Sequence, residues 1–213
     1  MSFWGFLIDR WDDFLVLGLE HLAVVGTSLA LASILGVGLS MLVYNRSVPR
    51  ALALAIVSVI FTIPSFALLV LFISPLGLGP VNVIAALTLY GMLPIMQNAV
   101  VGLRGADPGV LEAARGLGLT RMQQFWKVRV PLAWPVMLTG LRVAALMLIG
   151  IATLGYTVLG PGYGEFVFTG LYRVGTPVAL NLVLAGLLGV LLVGLLSELL
   201  FTLLRRLTTP RSS

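Results

Sequence analysis

The run NLVLAGLLGVLLVGLLSELLFTLL, residues 181–204, holds one charged side chain, Glu198, and ends at Arg205-Arg206. A helix needs about 20 apolar residues to cross the hydrocarbon core of a bilayer. In that core every backbone amide must find its partner inside the segment, so the run dictates a membrane-spanning helix. Four further runs meet the same criterion, near 22–43, 52–73, 81–103 and 135–159. Tyr44-Asn45-Arg46 stops the first and Ser74-Pro75 stops the second. The expected fold is all-α: an integral membrane protein of about five transmembrane helices, a single domain over residues 1–213 in the cell membrane.

Composition agrees. Hydrophobic residues make up 59% of the chain and charged residues 10%, where a soluble domain carries about 25% charged residues. The surplus apolar surface has to face lipid. There is no cysteine, which excludes disulfides and thiolate metal sites. The single histidine, His21, argues against a His-based metal site, so no metal site is expected. The net charge of +5 does not point to nucleic acid, because the basic residues gather between the apolar runs.

That distribution sets the topology. Arg46 and Arg50 follow the first run, and Arg104, Arg115, Arg121, Lys127 and Arg129 lie between the third and fourth. Arg205, Arg206 and Arg211 follow the fifth, so alternate connections on one side hold ten of the thirteen basic residues. The other side carries Arg10 and Arg173 with Asp9, Asp12, Asp13, Glu20 and Glu165. The positive-inside rule then places the N-terminus outside and the C-terminus in the cytoplasm. Arg142, inside the fourth run near its basic end, is expected to snorkel to the cytoplasm or to bond the basic loop. Glu198 is expected to pair with Arg205 near the lipid boundary.

Residues 1–19 are expected to form an N-terminal interfacial segment rather than a secretory signal, since Asp9, Arg10, Asp12 and Asp13 interrupt the apolar stretch and no basic region precedes it. Positions 3–14, with Trp4 and Trp11 among acidic residues, read as an amphipathic segment at the interface. Glu20 and His21 are placed at the outer mouth of the first span, as an interfacial helix start or a docking point.

The segment 104–134 is too long for a simple connection. Asp107 is a good N-cap and Pro108 holds the favoured first helical position. A short helix from Pro108 to about Leu117 follows, and Gly118 can take the left-handed conformation that stops it. A second short helix starts at Thr120, whose hydroxyl caps it, and Pro131 is expected to end it. A folded helix–turn–helix between two spans is a docking surface.

The spacing in this loop carries a resemblance. Glu112-Ala113-Ala114, Gly118 six positions after the glutamate, and the ending Val128-Arg129-Val130-Pro131 resemble the EAA loop of ABC-importer permeases. That pattern ends in an aliphatic-x-Leu-Pro sequence, and Val130 replaces its leucine. Thr62-Ile63-Pro64-Ser65, Leu93-Pro94-Ile95, Gly102-Leu103-Arg104 and the stretch from Asp107 to Arg115 are similar to the osmoprotectant branch. The similarity covers roughly 20–173. Gly160-Pro161-Gly162-Tyr163-Gly164 departs from the small-residue run common in that branch. Methionine-type permeases share the loop and the five-span plan. The resemblance implies the permease subunit of an ATP-driven importer for glycine betaine, choline or carnitine. It also implies an ATP-binding subunit at the loop, with ATP and Mg held there, a second permease copy or paralogue, and an external substrate-binding protein. In this reading Glu112, Ala113, Ala114, Gly118 and Pro131 form the ATPase-coupling element.

No Gly-x4-Gly-Lys-Ser/Thr pattern occurs, so the chain is expected not to be an enzyme and to hold no cofactor. Polar groups inside spans are costly in lipid and face the bundle interior. Thr62, Ser65, Tyr90, Gln97, Asn98, Thr153, Tyr156 and Thr157 are the pathway candidates, and two readings stand for each: pathway lining, or hydrogen bonding between helices. Tyr90 and Tyr156 have ring faces suited to a quaternary ammonium ion. Pro64 and Pro94 sit mid-span as candidate hinges. The competing readings are a permease for methionine or another amino acid and, from another class, a membrane channel or assembly factor.

Overall fold

A computed structural model describes residues 2–208, and among these no strand occurs. Arg211, counted above with the basic end, lies outside the described residues. A short helix α1 (Phe3–Asp9) precedes the first long helix α2 (Trp11–Val43). Next come α3 (Ser47–Thr62), α4 (Ser65–Leu71), α5 (Ile73–Leu76) and α6 (Pro80–Arg104). The basic loop contains α7 (Pro108–Gly116) and α8 (Arg121–Gln124), and α9 (Val130–Ala152) follows. A 3-10 turn over Thr153–Val158, α10 (Gly164–Tyr172) and α11 (Ala179–Thr208) complete the chain.

Four helical stretches are long and apolar enough to cross a membrane: Trp11–Val43, Pro80–Arg104, Arg121–Val158 and Ala179–Thr208. The second expected span is different. Ser47–Thr62 and Ser65–Leu71 are two helices bent by 94° at Ile63-Pro64, making the fifth span a broken one. Pro64 lacks the amide a continuous helix needs there. The first span also begins earlier than 22, because α2 starts at Trp11 and carries Asp12 and Asp13 in its first turn. The expected segment 3–14 is therefore split: Phe6 and Leu7 of α1 are buried, Trp4 and Ile8 are exposed, and Phe14 belongs to α2.

α6 is the central helix. It buries Leu87, Tyr90, Ile95, Met96, Ala99 and Leu103, and α2 and α9 pack along it. The contact with α9 is close enough to require glycine: a Cβ on Gly140 would fall 2.7 Å from the Asn98 side chain and 2.8 Å from the Pro94 carbonyl. Backbones that approach like this gain dispersion contacts that lipid cannot supply. α10 packs on α11 at the opposite end from the basic loop. Exposed leucines run the length of α11, among them Leu184, Leu191, Leu195, Leu199 and Leu203, and form a face for lipid or for another subunit.

Candidate functional site: the coupling loop and the elements it drives

The loop is built from local capping chemistry. The Asp107 carboxylate accepts the Gly109 amide at 2.6 Å, with Pro108 at the first position of α7. At the other end the Gly118 amide donates to Arg115 at 2.9 Å and the Leu119 amide to Ala114 at 3.1 Å. That bond pair is a Schellman motif, and it requires Gly118 at φ +81°. The Thr120 hydroxyl then accepts the Gln123 amide at 3.3 Å, while the Gln123 side chain accepts the Thr120 amide at 2.9 Å. This capping box starts α8.

Pro131 does not end the second helix, contrary to the expectation above. The chain passes from α8 through a π-helical turn, Phe125–Arg129, directly into α9, with Pro131 near the start of α9. A proline ring crowds the carbonyl four residues back and leaves it without a donor. Widening the preceding turn to i→i+5 bonding accommodates both effects. Arg121–Val158 is therefore one 38-residue rod, roughly 57 Å long at 1.5 Å per residue. That exceeds a hydrocarbon core of about 30 Å, so the rod carries part of the loop as a rigid extension of the span.

Side chains tie this extension to the neighbouring spans. Arg129 donates to the Leu103 carbonyl at 2.7 Å and lies 5.3 Å from the Tyr44 ring centroid. Tyr44 packs on Phe125 at 5.7 Å, and Gln124 donates to the Leu119 carbonyl at 2.8 Å. The two alanines of the motif face different ways. Ala114 is buried, while Ala113 and Glu112 are exposed. Val110 is 45% and Leu117 82% exposed, so α7 presents apolar side chains and a carboxylate with nothing packed on them in this chain.

The pathway candidates do not form one cluster. The buried Tyr90 donates its hydroxyl to the Ile63 carbonyl and meets Phe61 edge-on, so it braces the bend at Pro64. Thr62 donates back to Val59 at 2.7 Å, and Ser65 opens α4. Asn98 donates to the Pro94 carbonyl at 2.8 Å, and α6 continues unbroken through Pro94. Of the two candidate hinges, Pro64 sits at a 94° bend between two helices and Pro94 lies inside one helix. Gln97 is exposed. Thr153, Tyr156 and Thr157 share the 3-10 turn, where Thr157 donates to the Leu154 carbonyl at 2.7 Å. Tyr156 stacks on Phe168 at 6.0 Å, and Phe168 lies 6.4 Å from Tyr172. This three-ring row joins the 3-10 turn to α10.

Several expectations about single residues are replaced. Arg142 pairs with Glu198 of α11 through two hydrogen bonds, Nε to Oε2 at 2.8 Å and Nη2 to Oε1. Its partner is therefore on α11 rather than in the basic loop, and Glu198 pairs with Arg142 rather than with Arg205. His21 is fully buried, with Nε2 3.1 Å from the Ile149 carbonyl, rather than exposed at a mouth. Tyr163, the residue that departs from the small-residue run, fills a slot between α2 and α11. A Cβ on Gly18 or on Gly189 would fall 2.4 Å from its ring or hydroxyl. Phe14 and His21 flank it at 5.0 and 5.7 Å, and burial pushes its phenol above the ordinary value, keeping it neutral. Arg142 and Glu198, opposite charges at similar depth from the basic end, were the available signal for the ion pair. Nothing local signals the Tyr163 slot. Among the described residues no group of acidic or histidine side chains is placed to hold a metal ion.

Comparison with known proteins places this geometry. Residues 29–209 match the family described as binding-protein-dependent transport system inner membrane component. The chain is 34% identical over 184 residues to a choline transport system permease protein of Bacillus subtilis, covering 84% of this chain and 85% of that one. It is 35% identical over 184 residues to an osmoprotectant import permease protein of Salmonella typhimurium, covering 83% and 78%. Its fold is similar to an inward-facing MetNI methionine ABC transporter, with TM-score 0.76, 26% identity, and coverage of 90% of this chain and 94% of that one. In such an importer ATP hydrolysis lies in a partner subunit, and the family implies a substrate-binding protein beside it. The chain therefore belongs to the binding-protein-dependent inner membrane components: it is a permease subunit of an ABC importer.

Proposed function

We propose that this permease imports small quaternary-ammonium osmoprotectants of the choline, glycine betaine and carnitine class, and that α7 is the element that the ATP-binding subunit moves. One observation carries the coupling half: α7 is capped at both ends and exposes Val110, Glu112 and Leu117. Through α8 it leads into the rod that becomes α9. Force applied at the loop reaches the membrane without a flexible joint at Pro131. Because α9 packs on α6 and is ion-paired to α11, closure of two ATPases would rock these helices as a unit. Alternating access by rigid-body motion is the expected result. The charge asymmetry supports a cytoplasmic loop and an external N-terminus. A second copy or a paralogue completes the pore.

The names of the relatives support the substrate class, and so does the row Tyr156–Phe168–Tyr172. A ring face left open, such as that of the exposed Tyr172, attracts a quaternary ammonium ion by cation–π contact, which needs no counter-charge. Tyr90 is assigned to the framework instead, since its hydroxyl is taken by Ile63. The test is uptake of radiolabelled choline, glycine betaine, carnitine and methionine by cells with and without the gene, the other importers of these compounds being deleted. Uptake of at least one quaternary amine should disappear while methionine uptake is unchanged. Loss of methionine uptake alone contradicts the substrate assignment and leaves the coupling role standing.

A further inference from the structure

The basic end holds a pocket behind the coupling loop. It has a volume of about 290 Å³ and lies between α7 and the ends of the spans, where Arg115, Arg121 and Arg129 converge beside Tyr44 and Phe125. No acidic residue lines it, and among the described residues the two ion pairs lie elsewhere, at Arg10–Asp13 and Arg142–Glu198. Guanidinium groups brought together without a counter-charge repel one another. Part of the geometry is fixed in advance: Arg129 is held by the Leu103 carbonyl and by the Tyr44 ring.

A second cavity adjoins the first and shares Tyr44, Arg121 and Phe125 with it. It is a groove of about 620 Å³ whose remaining wall is Gly38, Met41, Leu42, Met122 and Trp126. Leu42, Met122 and Trp126 are more than half exposed. Tyr44 and Trp126 are the side chains that anchor at the headgroup level of a bilayer. An anion-accepting chamber thus lies beside an apolar one where α2 ends, with Tyr44, Arg121 and Phe125 as their common wall.

We infer that these adjoining cavities bind one anionic phospholipid, its phosphate among Arg115, Arg121 and Arg129 and an acyl chain passing over the shared wall to lie along Met41, Met122 and Trp126. A soluble anion would leave the groove empty, and a zwitterionic lipid would leave the arginines without net counter-charge. Clustered basic residues at a membrane face recognise anionic headgroups by this chemistry. The site lies under α7, so an occupant would pack against the element through which the importer is driven.

The test uses the full-length chain purified with its co-purifying subunits in nanodiscs of mixed phosphatidylglycerol and phosphatidylcholine, followed by native mass spectrometry as lipids are stripped by activation. Wild type should retain phosphatidylglycerol in preference to phosphatidylcholine. Arg121→Gln, which alters both chambers, should lower that retention about fivefold. Arg121→Lys should keep most of it, and Arg46→Gln, at the same end but outside the pocket, should leave it unchanged. Millimolar glycerophosphate should not displace the lipid. Equal retention of the two lipids, unchanged retention in Arg121→Gln, or displacement by glycerophosphate overturns the inference. So does lipid found only on permease that has lost its ATPase, since ATPase side chains would then fill the pocket.

Discussion

Replacing Glu198 with leucine removes the acceptor that Arg142 meets between α9 and α11. Glu198 lies seven residues before Arg205, and so about 10 Å inside the basic end at 1.5 Å per residue. The two side chains are 39% and 35% exposed in the isolated chain. At that depth the exposed part faces hydrocarbon or another subunit rather than water, so screening is weak. An arginine at a span centre costs about 2.5–3.5 kcal/mol to insert, and one that can still reach toward the interface costs less, about 2 kcal/mol. Glu198→Leu should therefore destabilise by about 2 kcal/mol. Arg142→Leu should cost about 1 kcal/mol, because the abandoned carboxylate can take up a proton. Removing both charges leaves an apolar contact, and such replacements are often neutral, so the double variant should fall within about 1 kcal/mol of wild type. The expected coupling is about 3 kcal/mol in a double-mutant cycle. Reversible denaturation of the purified chain by SDS in mixed micelles, followed by circular dichroism, measures it. A neutral Glu198→Leu, or a double variant as unstable as the two singles added together, refutes the reasoning.

Two further predictions concern packing at the opposite end and at the bend. Gly189→Ala forces a Cβ against the Tyr163 ring and should cost about 1–3 kcal/mol, whereas in a Tyr163→Leu background it should cost almost nothing; the same denaturation assay reads both. Tyr90→Phe leaves the Ile63 carbonyl without its donor, at about 1 kcal/mol. Amides of Ser65–Leu71 should then exchange with solvent about fivefold faster, and unchanged exchange would show that Tyr90 does not hold the bend.

Where structure follows from near neighbours, the sequence was readable. The run at 181–204 and the caps Asp107, Gly118 and Thr120 act through residues within a few positions: α7 begins and ends, and α8 and α11 begin, close to where that chemistry places them, while α11 runs on through Arg205-Arg206 to Thr208. The span at 52–73 was readable as apolar, with Pro64 as a candidate hinge inside it, but the 94° size of the bend was not, and the Tyr90 hydroxyl that meets the Ile63 carbonyl there lies 27 positions away. The rod through Pro131 was hidden because a π turn has no compositional mark. The start of α2 was missed because charged residues are inexpensive once a helix has passed the hydrocarbon, so Asp12 and Asp13 did not stop it. Arg142 and Glu198 are separated by 56 positions, and only the packing of α9 on α11 brings them together. Burial of His21 against Ile149, 128 positions away, is of the same kind.

The central claim is that α7 is where energy from ATP enters this chain. The chain, tagged and solubilised gently from native membranes, should bring down an ATP-binding subunit in equal amount. Glu112→Lys puts a positive charge on the exposed face of α7 without touching its caps, and should reduce that recovery about tenfold or more, a loss of about 1.4 kcal/mol of docking energy. Recovery unchanged in Glu112→Lys, or no ATPase with the wild type under conditions that keep other membrane complexes intact, would contradict the account.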